Sequence, residues 1–224
     1  MKVTQTFALA LAFLAGTGDR ALADAAFEAK AQNAQRVHDL GDLVWALTAT
    51  CDTGEEIHQR QCRHLRDARV KELSAATLLV DAIPGGFEVG PWSAAKRSVA
   101  VTLYACIDCT GTVVAGKSYF ITGTSAPATI EGGRVHAPRI LDTALAFRDE
   151  AGAKTWLNHV GGANIQFLVK VPDKARWQIA GKDGLGLEIL GYRVYVPCEG
   201  TILVSSPESG PVEADKKACA KATR

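Results

Sequence analysis

Two overlapping motifs near the middle of the chain carry the residue types best suited to chemistry. Cys106 and Cys109 form a Cys-x-x-Cys pair, a spacing found in redox disulfides, haem attachment sites and zinc sites. Two residues further on, Gly111 to Ser118 fits the G-x-x-x-x-G-K-[ST] pattern of a phosphate-binding loop. Each motif indicates a function only if the neighbouring elements position it correctly.

The phosphate-loop pattern requires a strand before it and a helix after it, because the helix N-terminus and successive backbone N–H groups bind the phosphates. The segment Val99 to Ala105 alternates as a strand should. However, Tyr119 to Thr122 is β-prone and is followed by turn-forming residues. The sequence therefore predicts a β-hairpin punctuated by glycines, and it predicts no cofactor.

The Cys-x-x-Cys pair has three interpretations. A thioredoxin-like pair begins a helix, whereas Thr110 and Gly111 do not favour a helix start. Haem attachment requires His at position 110, and a zinc site requires a second ligand pair, which Cys198 and Cys219 do not form by spacing. A structural disulfide is favoured, and the redox pair and half of a zinc site remain as alternatives.

The N-terminus has the order of a secretory signal peptide. Lys2 supplies positive charge, Phe7 to Gly16 is mostly apolar, and Ala21 to Ala23 fits the small-x-small cleavage site. This pattern predicts a signal peptide over residues 1–23 and a secreted or periplasmic mature chain from Asp24, with a buried N-terminal helix as the alternative. No later apolar run is long enough for a membrane helix, so no integral membrane segment is predicted in the mature chain.

Six cysteines in an exported chain predict disulfide bonds. Six cysteines allow fifteen connectivities, among which the sequence does not choose. Their grouping makes three local pairs the simplest prediction. These are Cys51 with Cys62, Cys106 with Cys109, and Cys198 with Cys219.

The Cys51–Cys62 pairing constrains where the second predicted helix begins. Thr53 to Glu56 matches a capping box, but a helix from Thr53 would place Cys62 about 13 Å along its axis. The Cα atoms of a disulfide lie within about 7 Å of each other. Either the first helix ends early and the second starts near His58, or the pairing is different.

His58, Cys62 and His64 also suggest a metal site at first sight. His58 and Cys62 are four residues apart and could share a helix face, but His64 points elsewhere. Three arginines lie in the same segment. A solvated basic helix face with a disulfide cysteine is the simpler interpretation, and no metal ligand is predicted.

The elements that position these residues fall into two parts. Apolar residues recur every three or four positions from Phe27 to Cys51 and from Ile57 to Asp81, which predicts a helical hairpin over residues 24–81. Residues 82–92 are rich in Gly and Pro and form a predicted linker.

Residues 93–204 are predicted to form an α+β domain with a mostly antiparallel sheet and one inserted helix. That helix runs from the N-cap Asp149 to Val160, and Asp183-Gly184 signals a hairpin turn. Residues 205–224 form a polar tail that Cys219 ties back. The predicted strands are 99–105, 118–122, 164–171, 177–179, 185–189, 192–196 and 201–204.

Composition limits the function further. The net charge is +1, from 25 Lys and Arg against 24 Asp and Glu, so nothing predicts nucleic-acid binding. The sequence predicts an exported, disulfide-stabilised binding or structural module that is non-catalytic and whose partner is an unknown protein or small molecule. The alternatives are a thiol–disulfide oxidoreductase using Cys106 and Cys109, and a zinc-binding module.

Overall fold

A computed structural model describes residues 26–82, 85–124, 127–207, 209, 212, 214 and 215. The predicted signal peptide and Cys219 lie outside the described residues. The helices are α1, whose described part covers residues 26–32, α2 (Leu40–Thr48), α3 (Glu56–Ala75) and α4 (Glu150–Val160). The strands are β1 (Gln35–Val37), β2 (Leu78–Asp81), β3 (Phe87–Ser93), β4 (Ser98–Tyr104), β5 (Cys106–Val114), β6 (Lys117–Gly123), β7 (Thr129–Glu131), β8 (Arg134–His136), β9 (Arg139–Ala146), β10 (Asn164–Lys170), β11 (Arg176–Ile179), β12 (Lys182–Val196) and β13 (Thr201–Ser206).

The fold is α+β, as predicted, and its largest sheet is built around β12. The strand order is β1-β2-β10-β12-β6-β5, and β11 and β13 also pair with β12. The first half of this 15-residue strand pairs with β6 and β11, and its second half pairs with β10 and β13. The β1–β2 and β6–β12 pairs are parallel, and the other pairs are antiparallel.

Helices cover both faces of this sheet. Because side chains alternate along a strand, Leu78 and Val80 of β2 enter the main core with Leu43 of α2, whereas Leu79 packs with Phe27 of α1 on the other face. The main core includes residues of α2, α3, β4, β6, β10 and β12. The helical and sheet-forming parts of the chain therefore share one hydrophobic core.

The helices α2 and α3 form an antiparallel pair. Asp39 caps the start of α2 by accepting a backbone hydrogen bond. In the first turn of α2, the carboxylate of Asp42 accepts two hydrogen bonds from Arg69 of α3. Just after the last residue of α2, the carbonyl of Ala49 accepts a hydrogen bond from Arg66 of α3. These contacts join the two helices to each other.

A row of polar side chains crosses the α1 face of the sheet. Gln166 is in register with both Asp81 and Arg193, and its side chain donates to Asp81 and accepts from Arg193 at 2.8 Å. Arg193 also pairs with Glu28 of α1 at 2.8 Å, and its guanidinium lies 4.8 Å from the centre of the Phe27 ring. This row joins β2, β10, β12 and α1.

The segment from Phe27 to Cys51, predicted as one helix, is divided. Helix α1 ends at residue 32, β1 follows, and α2 starts after Asp39. The apolar spacing predicted a helix through Val37, but Val37 lies on β1 and packs against the core from a strand. The second predicted helix also ends early, since the consecutive apolar residues of β2 form a strand with buried residues facing both ways.

The predicted hairpins form, but one turn lies elsewhere. Strands β11 and β12 are joined at Ala180-Gly181, whose φ angles are +47° and +76°, as a type I′ turn requires. Asp183 and Gly184, predicted as the turn, lie within β12. Strands β5 and β6 are joined in the same way at Ala115-Gly116.

A three-stranded sheet, β3-β4-β9, packs beside α4. Strand β3 occupies part of the predicted linker 82–92, and β7, β8 and β9 were not predicted. Asp149 caps α4, as predicted. The ring of Phe147 lies 6.3 Å from that of Trp92 on β3 and 5.7 Å from that of Trp156 on α4, centre to centre, and so joins the sheet to the helix.

Candidate functional site

Cys106 and Cys109 are joined by a disulfide bond, with their Cα atoms 5.7 Å apart. The predicted strands 99–105 and 118–122 left both cysteines in the turn between them, and the structure corrects this position. Both cysteines lie on β5, where the pairing with β6 shifts register twice between Cys106 and Thr112. The extra residues form a bulge in β5, which the disulfide spans.

The side chain of Asp108 organises this bulge from inside. Only 1% of Asp108 is exposed, and its Oδ1 accepts from the backbone N–H groups of Thr110 and Gly111 and from the Thr110 hydroxyl. Its Oδ2 accepts from the hydroxyl of Thr112 at 2.6 Å. Burial raises the pKa of Asp108, but the hydrogen bonds from Thr112, Thr110 and Gly111 outweigh it and lower that pKa below its usual value. Asp108 is therefore held as a carboxylate.

This environment bears directly on the redox alternative. A reactive cysteine needs a stabilised thiolate, which a helix N-terminus or a nearby cation supplies. Cys106 and Cys109 lie on a strand, and Asp108, between them in the sequence, carries a negative charge, which disfavours a nearby thiolate. The geometry favours a structural disulfide, and redox activity of this pair stays a hypothesis.

The phosphate-loop match is a β-hairpin, as predicted. Lys117 and Ser118 begin β6, so no helix follows the glycines in this part of the described chain. Gly111 has a φ of +98°, and a Cβ atom there would lie 3.3 Å from the Phe120 ring. Gly111 therefore allows the backbone of the bulge to turn and the Phe120 ring to pack against it. The glycines of the motif are followed by a strand, so there is no helix N-terminus here to bind a phosphate.

The Cys51–Cys62 disulfide forms with a Cα–Cα distance of 5.6 Å. Of the two alternatives raised by the sequence, the first is correct, because α2 ends before Cys51 and α3 begins only at Glu56. The capping-box match of Thr53 and Glu56, which conflicted with this pairing, forms no cap. Glu55 is the N-cap residue, and no side chain caps this helix.

The other predicted positions do not converge on a site. Cys62 is disulfide-bonded, and His58 and His64 are exposed on α3. Within the described ranges, no three His, Cys, Asp or Glu side chains are grouped so that they could bind a metal ion. Cys198 is also disulfide-bonded, and its pairing with Cys219 stays a prediction because Cys219 lies outside the described residues.

The strongest candidate site, which the sequence did not predict, is a cavity of about 260 Å³ beside Trp177, referred to below as the Trp177 pocket. It lies where β6, β11 and β12 meet. Its lining is mainly apolar. The described lining residues are Thr122, Gly123, Thr124, Pro127, Ala128, Lys174, Ala175, Arg176, Trp177, Ile179 and Gly186.

The indole of Trp177 packs on β12 at Gly184, and the neighbouring Gly186 leaves room for the side chain of Thr124. A Cβ atom at Gly184 would be 2.0 Å from the Cζ2 atom of Trp177, and one at Gly186 would be 2.8 Å from the Thr124 methyl group. The indole nitrogen is buried and donates to no acceptor in the described part of the chain. An unsatisfied buried donor costs about 1–3 kcal/mol, so this one marks an incomplete environment.

A second and larger cavity, of about 690 Å³, lies between α3 and the segment before β11; we call it the α3 cleft. Lys174, Ala175 and Arg176 line both cavities and separate them. Neither cation forms an ion pair with a described carboxylate, although Arg176 donates through Nε to the carbonyl of Leu47. None of the described residues that line the Trp177 pocket is acidic.

One sequence signal could have indicated the pocket. A glycine inside a strand often marks a place where another group approaches closely, and on β12 Gly184 lies opposite Trp177 while Gly186 lies beside Thr124. The Asp183-Gly184 pair was interpreted as a turn, which concealed this pattern. The cavity itself depends on the meeting of three strands and has no local signature.

Comparison with known protein families, with curated proteins and with solved structures finds no match to this chain. Among the described helices, none combines the length and apolar character needed to cross a membrane. The function of the protein is therefore inferred from the chemistry of its own residues.

Proposed function

We propose that this protein is an exported, non-catalytic binding protein that takes a small and mainly apolar molecule into the Trp177 pocket. The observation that carries this proposal is an apolar cavity lined by Trp177, whose buried indole N–H has no acceptor among the described residues. Disulfide bonds, such as Cys51–Cys62 and Cys106–Cys109, persist in oxidising compartments, which supports a secreted or periplasmic location.

The size of the pocket limits the ligand. Its volume of about 260 Å³ lies just below the range of about 300–1,000 Å³ typical for drug-sized ligands. A molecule with one or two fused rings fills such a space. The face of Trp177 then offers it an aromatic surface, and ring pairs contribute about 0.5–1.5 kcal/mol beyond the area they bury.

The indole nitrogen supplies a polar contact for this ligand. Since the nitrogen is buried, a ligand acceptor reaches it only when the ring moves. A ligand oxygen at this position would satisfy a donor that the free protein leaves unpaired. Binding is therefore expected to change the environment of Trp177 and its fluorescence.

The neutral probe 1-naphthylacetamide tests this proposal by calorimetry and by tryptophan fluorescence. We expect saturable binding with one site, weakened about tenfold by Trp177→Phe, which removes the N–H donor and part of the aromatic face. Trp92→Phe is the matched control, because Trp92 packs on Phe147 and lines neither cavity. Absence of binding, or equal weakening by both variants, would overturn the proposed site.

Export is tested separately by sequencing the N-terminus of the protein recovered from the periplasm or medium of an expressing bacterium. The mature chain is expected to begin at Asp24, after the small-x-small site. Recovery of the chain only from the cytoplasm, with Met1 or Lys2 at its N-terminus, would contradict the proposed location.

A further inference from the structure

Lys174 and Arg176 stand at the boundary between the Trp177 pocket and the α3 cleft. Both side chains line both cavities. Between them, Ala175 is buried, and its carbonyl accepts a hydrogen bond from the backbone N–H of Gly186 at 2.6 Å. The backbone that carries the two cations is therefore anchored to β12.

The charges around this boundary are not balanced by the fold. The Trp177 pocket has two cations and, among its described lining residues, no carboxylate. In the α3 cleft, Asp67 is paired with Arg66 at 2.7 Å, and Asp173 is the other acidic residue of the described lining. Lys174 forms no ion pair within the described ranges. Positive charge that no carboxylate compensates attracts an anionic ligand.

Arg176 is oriented for planar anions. Its Nε donates to the carbonyl of Leu47, which restrains the guanidinium, and no described residue accepts a hydrogen bond from its two terminal nitrogens. Arginine matches the two oxygens of a carboxylate, and lysine adds a compact charge beside it. The pair thus suits one carboxylate next to an apolar group.

We propose that the ligand of the Trp177 pocket is a small organic carboxylate, with its ring system against Trp177 and its carboxylate between Lys174 and Arg176. This inference rests on the proposed function, since it names the chemical class of ligand for the same pocket. It assigns Lys174 and Arg176 as specificity residues that distinguish an acid from its neutral analogue. The α3 cleft then receives any further part of a longer ligand.

The matched probes are 1-naphthylacetate and 1-naphthylacetamide, which differ only in the charged group. We expect the acid to bind about tenfold more tightly than the amide at low salt, with this advantage falling in 0.5 M salt because ions screen exposed charges. Lys174→Gln should remove about half of the advantage in logarithmic terms, because it weakens binding of the acid more than binding of the amide. Arg176→Gln should do the same, provided that its circular dichroism matches that of the parent protein.

Lys117→Gln is the matched control. It makes the same change of net charge, but Lys117 lies at the β5–β6 turn and lines neither cavity. Equal affinity for acid and amide, or equal effects of Lys174→Gln and Lys117→Gln, would overturn the inference while leaving the pocket itself intact. Failure of both probes to bind would overturn the proposed function and the inference with it.

Discussion

Asp108 and Trp177 both carry buried polar atoms, but only Asp108 has partners for them. Four hydrogen bonds from its own bulge hold the Asp108 carboxylate, whereas the indole N–H of Trp177 has no acceptor in the described chain. A satisfied buried group stabilises a local structure, and an unsatisfied one costs free energy that a ligand can recover. For this reason we interpret Asp108 as structural and Trp177 as part of a binding site.

Asp108→Asn is predicted to lower the free energy of unfolding by about 1–3 kcal/mol at pH 7, because charge-assisted hydrogen bonds become weaker neutral ones. The folded protein holds the pKa of Asp108 below its usual value, so the unfolded chain takes up the proton first as the pH falls. The stabilisation is fully present above about pH 5 and declines below about pH 4, near the unfolded pKa of about 3.9.

Urea unfolding of the parent protein and the variant between pH 7 and pH 3 measures this difference. The difference in unfolding free energy between the parent protein and Asp108→Asn should become smaller as the pH falls. Asp52→Asn serves as the control, because Asp52 is exposed and its carboxylate forms no hydrogen bond with a described residue. A gap that stays constant or widens below pH 4 would show that the Asp108 carboxylate does not stabilise the bulge through its charge.

Strands were predicted from the sequence more successfully than the first helix, for a physical reason. In β4 and β10 the apolar residues alternate or run continuously between turn signals, and no helical spacing fits them. Residues 27 to 51 fit helical spacing throughout, yet β1 interrupts them because its backbone pairs with β2. That pairing brings together residues about 40 positions apart in the sequence, and local spacing carries no information about it.

The Trp177 pocket was not predicted from the sequence for a similar reason. Cys106 and Cys109 were recognisable by their spacing, and their disulfide was predicted correctly. The Trp177 pocket has no such spacing, because it forms where β6 joins β12 in parallel and β11 folds back over the same strand. Only the alternating glycines of β12 gave a local sign of it.

The molecule as a whole is joined by contacts between distant parts of the chain. Glu28 and Arg193 are separated by 165 positions, yet their ion pair fastens α1 to the centre of the sheet. Burial lowers the pKa of Arg193, and the charge of Glu28 raises it, so Glu28 compensates the partly buried cation. The described part of α1 is therefore joined to the sheet by a charged contact as well as by the packing of Phe27.

A double-mutant cycle on Glu28 and Arg193 tests this coupling across the molecule. The Arg193 side chain is 10% exposed and that of Glu28 is 28% exposed, so Glu28→Gln should cost about 2–4 kcal/mol of unfolding free energy by leaving the cation without its partner. Arg193→Met keeps much of the packing against Phe27 but leaves Glu28 without its cation. We expect the double variant to be more stable than the sum of the two losses predicts, by about 1–3 kcal/mol. Urea unfolding measures all four proteins, and strictly additive losses would mean that the Glu28–Arg193 pair does not couple α1 to the sheet.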